Sequence, residues 1–374
     1  MVTVEAVRTA KQQKAFIEFP LQLYKNNPNF VPPLYGDEKK MFRGDFVYRD
    51  TCEIGHWLAY RDGKVVGRIM AILQKASNDK HGEKRVRFDR FDAIDDAEVA
   101  KALFREVERF AREKDMDTVC GPLGFSDLER EGLLVEGFDQ LSTFEEQYNA
   151  DYYGRLIEAC GFQKEVDWVE SKLYAPEPET REKLKKLSDQ LLEKFRLHIG
   201  EAKNTNDFLN RYQDGFFDLL DVAYEDIYGT VPFTPGMKKM MIDNFRLIID
   251  LDHVVCILNE QNKVVCLGIC FPSIAKAVQK SGGRLTPAAL VRLLKAIKKP
   301  DVIDLGLIAV APEYQNTGII AVIAAALADM LSEGGIEHAE TNLNLEDNLA
   351  IRNIWKRFHA VRHKRRRAYV KALD

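Results

Sequence analysis

The residues whose types and spacing best suit chemistry lie in the stretch 301–320, DVIDLGLIAVAPEYQNTGII. Val302, Ile303, Leu305, Leu307, Ile308 and Val310 make a nearly continuous apolar run, the pattern of a strand buried on both faces. Pro312 has no N–H to give a ladder, so the strand should end there. Gln315-Asn316-Thr317-Gly318-Ile319-Ile320 then reads as a tight turn with one glycine. A long apolar helix over about 319–332 follows, and Gly334-Gly335 closes it. A strand that feeds a tight loop and a helix N-terminus makes an anion site, because free backbone N–H groups and the helix dipole converge there. The ligand it suits is a phosphate or pyrophosphate. No Gly-Lys-Ser/Thr follows and Gly-x-Gly-x-x-Gly is absent, which excludes a P-loop and a dinucleotide fingerprint.

Two further clusters carry charge. Lys263, Lys276, Lys280, Arg284, Arg292, Lys295, Lys298 and Lys299 fall in a stretch without an acid. They read either as a solvated helix face with its loop or as a basic rim for cofactor phosphates. Thr286-Pro287 marks a helix start inside this stretch. Near the end, Arg362-His363-Lys364-Arg365-Arg366-Arg367 could touch nucleic acid, but no interleaved aromatics offer a stacking platform. A hairpin between two final strands, continuing into Ala368-Tyr369-Val370, accounts for it more simply. The cysteines at 52, 120, 160, 256, 266 and 270 form no CxxC pair and no finger spacing. They are expected as buried, reduced thiols in a cytoplasmic protein, and no metal site is expected.

These elements need a frame. A chain of 374 residues, 46% hydrophobic and 30% charged with net charge −4, implies two domains of ordinary globular composition and gives no global pull toward nucleic acid. No signal segment is visible, and the longest apolar run, 319–328, is too short to span a bilayer, so no membrane partner is expected. The first half reads in order as a strand (2–7), an amphipathic helix (10–24), a proline-broken loop with a helix, a hairpin turning at Asp62-Gly63, a strand (85–94), a helix (97–114), a buried strand (118–121), a glycine-rich loop, a helix closing at Gly161, and a strand (168–174). Ala175-Pro176-Glu177-Pro178-Glu179 reads as a linker, placing domains at 1–176 and 177–374.

After a charged helix (180–194) the same order begins again. Val31-Pro32-Pro33 with Lys39-Lys40-Met41 parallels Val231-Pro232-Phe233 with Lys238-Lys239-Met240. Asp62-Gly63-Lys64-Val65-Val66 parallels Gln261-Asn262-Lys263-Val264-Val265. Two matched pairs in the same order indicate a tandem repeat.

The turn at 315–320 resembles the Gln/Arg-x-x-Gly-x-Gly/Ala loop of the GNAT acyltransferases, with Ile320 where that family has a small residue. YNADYYGRLIEACGF resembles that family's final helix, and FVPPL, GLLVEGFD, YNADYY and the AE…LEDN stretch 339–348 resemble a group of uncharacterised bacterial tandem GNAT proteins. The resemblance implies an α/β fold with a mixed sheet, two GNAT-like domains, and acetyl-CoA or another acyl-CoA as co-substrate for an amine, small molecule or peptide. It implies that the two central strands of the second domain splay apart and that Leu307, Ile308, Ala309 and Val310 pair with the pantetheine arm. Gln315, Asn316, Thr317, Gly318, Ile319 and Ile320 would then hold the pyrophosphate, with Asn348 completing the cofactor site. Asn348 stands seven residues before Trp355, where the family has a tyrosine that protonates the leaving thiolate. An indole N–H is no acid, so another residue does this, or the thiolate leaves unaided, or the domain is inactive.

Glu340, in a strand beside the expected gap, is the candidate base; a strand carboxylate paired with a lysine is its structural alternative. Glu346 and Asp347 read as helix-capping acids. Tyr224, Tyr228 and Phe233, between the first two helices of the repeat, are candidates for the acceptor pocket or simply for the core. In the first half no such turn follows the strand 85–94. Asp92, Asp95, Asp96 and Glu98 stand there instead and would repel a pyrophosphate, so this domain is expected not to bind cofactor. The reading from another class is an inactive GNAT-like sensor or scaffold that holds coenzyme A. A monomer or homodimer is expected.

Overall fold

The computed structural model describes residues 1–225 and 227–374. The first elements in chain order are β1 (Thr3–Ala6), α1 (Ala10–Leu23), α2 (Tyr35–Lys40), β2 (Cys52–Arg61), β3 (Lys64–Gln74), α3 (Lys75–His81), β4 (Arg85–Ala93), α4 (Ala97–Glu113), β5 (Thr118–Gly121), β6 (Leu133–Glu136), α5 (Tyr153–Glu158) and β7 (Gln163–Tyr174). The chain continues with α6 (Pro178–Phe195), β8 (His198–Ile199), α7 (Thr205–Ala223), α8 (Pro235–Ile248), β9 (Val254–Leu258), β10 (Val264–Pro272), α9 (Ala275–Gln279) and α10 (Pro287–Lys298). It ends with β11 (Val302–Val310), α11 (Ile320–Ser332), β12 (His338–Glu340), β13 (Asn344–Leu345), α12 (Leu349–Trp355) and β14 (His359–Ala372). The helix expected over 206–227 stops at Ala223, and Asp226 lies outside the described residues.

The chain gathers into two compact units, and neither is one continuous piece. The first holds Met1–Val169, Ile274–Leu293 and His363–Asp374; the second holds Glu170–Ser273 and Leu294–Arg362. The linker at 175–179 therefore does not mark the cut between packing units. Strands are shared out by pairing rather than by chain order, and the cut falls inside β7, α10 and β14.

In the first unit β1, β2, β3 and β4 are antiparallel neighbours, β4 and β5 are parallel, and the end of β14 pairs with β5 and β6. Asp62 (φ 51°) and Gly63 (φ 74°) give the β2–β3 hairpin its tight turn, as the Asp-Gly pair requires. Val99, Leu103 and Val107 of α4 are fully buried over this sheet with Ile69, Ala71 and Phe88. Asp167 on β7 accepts from Arg365 at 2.6 Å and from Arg367 Nε at 2.8 Å. The basic run at 362–367 is thus part of one long strand rather than a hairpin. Lys364 and Arg366 point inward, Arg365 and Arg367 bind Asp167, and alternation along the strand explains both.

In the second unit β8, β9, β10 and β11 are antiparallel neighbours, β11 and β12 are parallel, and β12 runs antiparallel to the end of β7. The strand expected over 336–343 shortens to His338–Glu340. Asn342 takes a left-handed conformation (φ 48°) just beyond it, which breaks the ladder. On one face Leu173, Ile303 and Ala339 pack with α6, α11 and α12 through Leu184, Ala324, Ala328, Ile351 and Trp355. On the other face Phe271 meets Phe245 of α8, ring centroids 5.6 Å apart.

Candidate functional site

The two central strands of the second unit part. β11 and β12 are paired only at Val302↔His338, Ile303↔Ala339 and Asp304↔Glu340, whereas β11 runs on to Val310. Its other edge stays paired with β10 as far as Cys266↔Val310. A bulge interrupts that pairing beside Ile269 and Cys270, with Gly306 as the extra residue of β11. A Cβ at Gly306 would lie 2.1 Å from the Phe271 ring, so the bulge needs glycine.

The Ala311 N–H donates to the Val265 carbonyl at 2.8 Å. By alternation Leu307 and Ala309 also face β10, and Ile308 and Val310 aim their N–H and C=O groups into the fork. Asn342 Nδ2 donates to the Leu305 carbonyl at 2.9 Å at the base of the fork, and Tyr224 Oη donates to the Ile308 carbonyl at 3.1 Å. The geometry is an exposed strand edge of a few residues, the template for an extended ligand that pairs like an added strand.

The loop above the fork presents main-chain donors. Asn316 (φ 61°) and Gly318 (φ 87°) both take left-handed conformations. Thr317 turns its hydroxyl inward, donating to the Tyr314 carbonyl at 2.6 Å. Among the described residues no side chain caps α11. Ala321 and Val322 give their N–H groups to the Gly318 and Ile319 carbonyls at 2.9 Å, so the donors this helix start offers are those of Gly318, Ile319 and Ile320, and the dipole adds positive potential there. A Cβ on Gly318 would meet nothing within 4 Å, so open space lies over the loop. Ile320 packs toward the apolar core beneath α11, so its bulk does not crowd the loop mouth.

Glu340 is the last paired residue before the strands part, and it is buried. Strand alternation places it on the face opposite Ala339, the face toward α8. Register sets Asp304 beside it on β11 and Lys172 beside it on β7, and His338 Nε2 lies 3.4 Å from Glu340 Oε1. Asp304 and His338, both buried, were missed from sequence: Asp304 stands in an apolar run and only the register brings it to Glu340, whereas His338, two residues away on the same strand, was legible from alternation alone.

Tyr224, at the end of α7, reaches the fork. Phe233 packs on Phe217 with ring centroids 5.5 Å apart, and Tyr228 is half-buried in the same loop. Asn348 caps α12, its Oδ1 accepting from the Ile351 N–H at 3.2 Å, and is exposed. Trp355 Nε1 donates to Asn344 Oδ1 at 2.8 Å. Ile308, Gly268, Cys270, Ile323, Leu327, Met330, Trp355 and His253 line a small cavity on the α11 face. Burial lowers the pKa of His253 and pushes the Cys270 thiol up to about 12, so neither brings a charge into it.

The corresponding place in the first unit is built differently. β4 and β5 are paired to Arg87↔Cys120, and beyond that the chain fills its own fork. Tyr153 Oη accepts from the Ala93 N–H at 3.0 Å, and Tyr152 Oη donates to the Ala93 carbonyl at 2.7 Å. Asp96 caps α4, accepting from the Glu98 N–H at 2.8 Å, and Arg61 binds both Asp96 and Glu98. A hydrogen bond from Arg61 holds the Asp96 carboxyl below its ordinary range, so this helix start carries a fixed negative charge.

No family model matches the chain. Two relatives align over nearly its whole length. "Protein YghO" of Escherichia coli is 28% identical over 366 residues, 96% of this chain and 93% of its own. "Bacterial ceramide synthase" of Caulobacter vibrioides is 26% identical over 388 residues, covering 100% of this chain and 98% of its own. Among solved structures, a tandem GNAT protein from the clavulanic acid biosynthesis pathway superposes with a TM-score of 0.58 at 11% identity. That match covers 100% of this chain and 98% of the other.

Proposed function

We propose, from the tandem GNAT fold that this chain has, that its second unit is an acyl-CoA-dependent N-acyltransferase. The observation that carries this is the uncapped N-terminus of α11 above a forked strand whose Ile308 and Val310 main-chain groups face the gap. The diphosphate sits on the amides of Gly318, Ile319 and Ile320, and the pantetheine arm runs along 307–310, pairing with Ile308 and Val310, while Leu307 and Ala309 stay bonded to β10. The amine lone pair attacks the thioester carbonyl, and the Val310 N–H meets the oxyanion. Glu340 takes the ammonium proton, the C–S bond breaks, and the thiolate leaves with the electron pair. A thiolate is a tolerable leaving group, with a parent pKa of about 8.5. Trp355, its N–H already donated to Asn344, supplies no proton. Tyr224, Tyr228 and Phe233 border the acceptor side. Asn348 contributes through the start of α12 rather than through its capping oxygen.

The first unit, with Asp96 at its helix start and tyrosines in its fork, does not take coenzyme A in this reading. The acceptor is an amine. The name of the Caulobacter relative favours a long-chain one, since a ceramide is the amide of a fatty acyl group and a long-chain amino alcohol. Acyl-CoA is an intracellular donor, which suits a cytoplasmic site.

Thiol release is the test, measured with acetyl-, octanoyl- and palmitoyl-CoA against short amines, lysine peptides and a long-chain amino alcohol. Turnover with one pair supports the transferase. Stabilisation by coenzyme A without turnover of any pair favours the sensor reading. No stabilisation at millimolar coenzyme A overturns both.

A further inference from the structure

We infer that α10 docks this protein on an anionic lipid surface. The helix is amphipathic in an inverted sense. Ala289 is fully buried and Leu293 packs on Val31, Ala275 and Val278, so one face is anchored. The opposite face is apolar and open to solvent. Leu290 is 46% exposed, Val291 67% and Leu294 58%, and Leu285 just before the helix is 53% exposed. At 100° per residue Leu290, Leu294 and Val291 make one stripe, with Lys298 continuing it and Lys295 and Lys299 along its flank. A helix face that simply meets water would be polar here, so the stripe argues against the solvated-face reading of this basic segment.

Charge names the partner. From Gln261 through Pro300 the chain has no carboxylate, while Lys276, Lys280, Lys295, Lys298 and Lys299 are exposed. Arg284 is engaged with Glu18 at 2.9 Å and is left out of the count. Leucines flanked by lysines on one exposed helix face match the headgroup boundary of an anionic bilayer: the apolar side chains enter the acyl region and the ammonium groups meet phosphates. Among the described residues no helix is long and apolar enough to cross a membrane. The expectation of no membrane partner rested on the lack of a span, and a helix lying in the interface needs none. This docking is independent of the chemistry at the fork, and it would present the enzyme to amphiphilic amines.

Co-sedimentation of the full chain with phosphatidylcholine vesicles, and with vesicles containing phosphatidylglycerol, tests it without any acyl-CoA. Wild type is expected in the pellet with anionic vesicles and largely in the supernatant with neutral ones. Leu290→Asp/Leu294→Asp and, separately, Lys295→Glu/Lys298→Glu/Lys299→Glu should each weaken partitioning about tenfold or more. Their thermal melts should match wild type, because all five side chains are exposed. Absence of wild-type binding to anionic vesicles, or binding that both variants retain, overturns the inference. So does a wild-type dimer in solution that Leu290→Asp/Leu294→Asp makes monomeric without any vesicle binding, since a second copy then covers the stripe.

Discussion

The Tyr224 hydroxyl donates to the Ile308 carbonyl at 3.1 Å, across the fork where β11 has left β12. That carbonyl is one of the groups a paired pantetheine arm would meet. Tyr224 therefore either yields its place or helps hold the arm, and both roles pass through its oxygen. Tyr224→Phe keeps the ring and removes one hydrogen bond, worth about 1 kcal/mol. The expected outcome is a fall of about tenfold or less in kcat/KM for acyl-CoA, with an unchanged melting curve. An unchanged kcat/KM would separate Tyr224 from the site.

Gly318 tests the anion loop. Its φ of 87° strains any side chain, yet space is open around a Cβ. Gly318→Asp should cost about 1 kcal/mol in backbone strain and regain part of it from a carboxylate at the start of α11. The free protein should melt near the wild-type temperature. The thermal shift produced by coenzyme A should vanish, because the added charge meets the diphosphate. A shift of wild-type size in the variant would remove the loop from the cofactor site.

Glu340 is the proposed base, and its test is a pH profile. With a carboxylate base, kcat/KM falls on the acid side as the carboxylate gains a proton. Glu340→Gln should lower kcat by about a hundredfold and flatten that limb, while coenzyme A still stabilises the protein. Asp304, beside it in register, is the control. If Asp304→Asn flattens the limb and Glu340→Gln does not, the base is Asp304.

Much of this was readable in the sequence where local chemistry decides. The apolar run of β11, the proline that ends it and the glycine-bearing turn into α11 stand where the residues placed them, and the first hairpin turns at its Asp-Gly pair. What local patterns do not hold is pairing. The unit division ignores the proline linker, because β7, α10 and β14 each span the cut. Arg362–Arg367 read as part of a hairpin because a single strand that buries alternate cations has no composition signal of its own. Asp304 was invisible for the same reason, since the register that sets it beside Glu340 joins distant segments; His338, two residues from Glu340 on one strand, could have been read from alternation.

Trp355 separates stability from chemistry. Its indole N–H is bound to Asn344 and its ring meets Phe358 at 6.2 Å, so it is built into the base of α12. Trp355→Phe removes that hydrogen bond and leaves a gap, and should cost about 2–4 kcal/mol by urea denaturation. The shape of the pH–rate profile should stay the same, because an indole contributes no acid limb. A lost alkaline limb in the variant would give Trp355 a part in proton transfer.

Asp167 ties the end of the chain into the first unit, and pH should report it. Burial raises its pKa, but hydrogen bonds from Arg367, Arg365 and Lys164 outweigh that and hold it at about 2. A carboxyl depressed in the folded state adds stability above its unfolded pKa of about 3.9, and that stability is lost as pH falls toward the folded value. The whole shift would correspond to about 2–3 kcal/mol; with solvent screening, about 1–2 kcal/mol is expected. Asp167→Asn should therefore be less stable than wild type by about that much at pH 7, with the difference shrinking between pH 4 and pH 2. Urea midpoints at pH 7, 5, 4 and 3 measure it. A difference that stays constant down to pH 3 would mean that Asp167 matters through shape rather than charge.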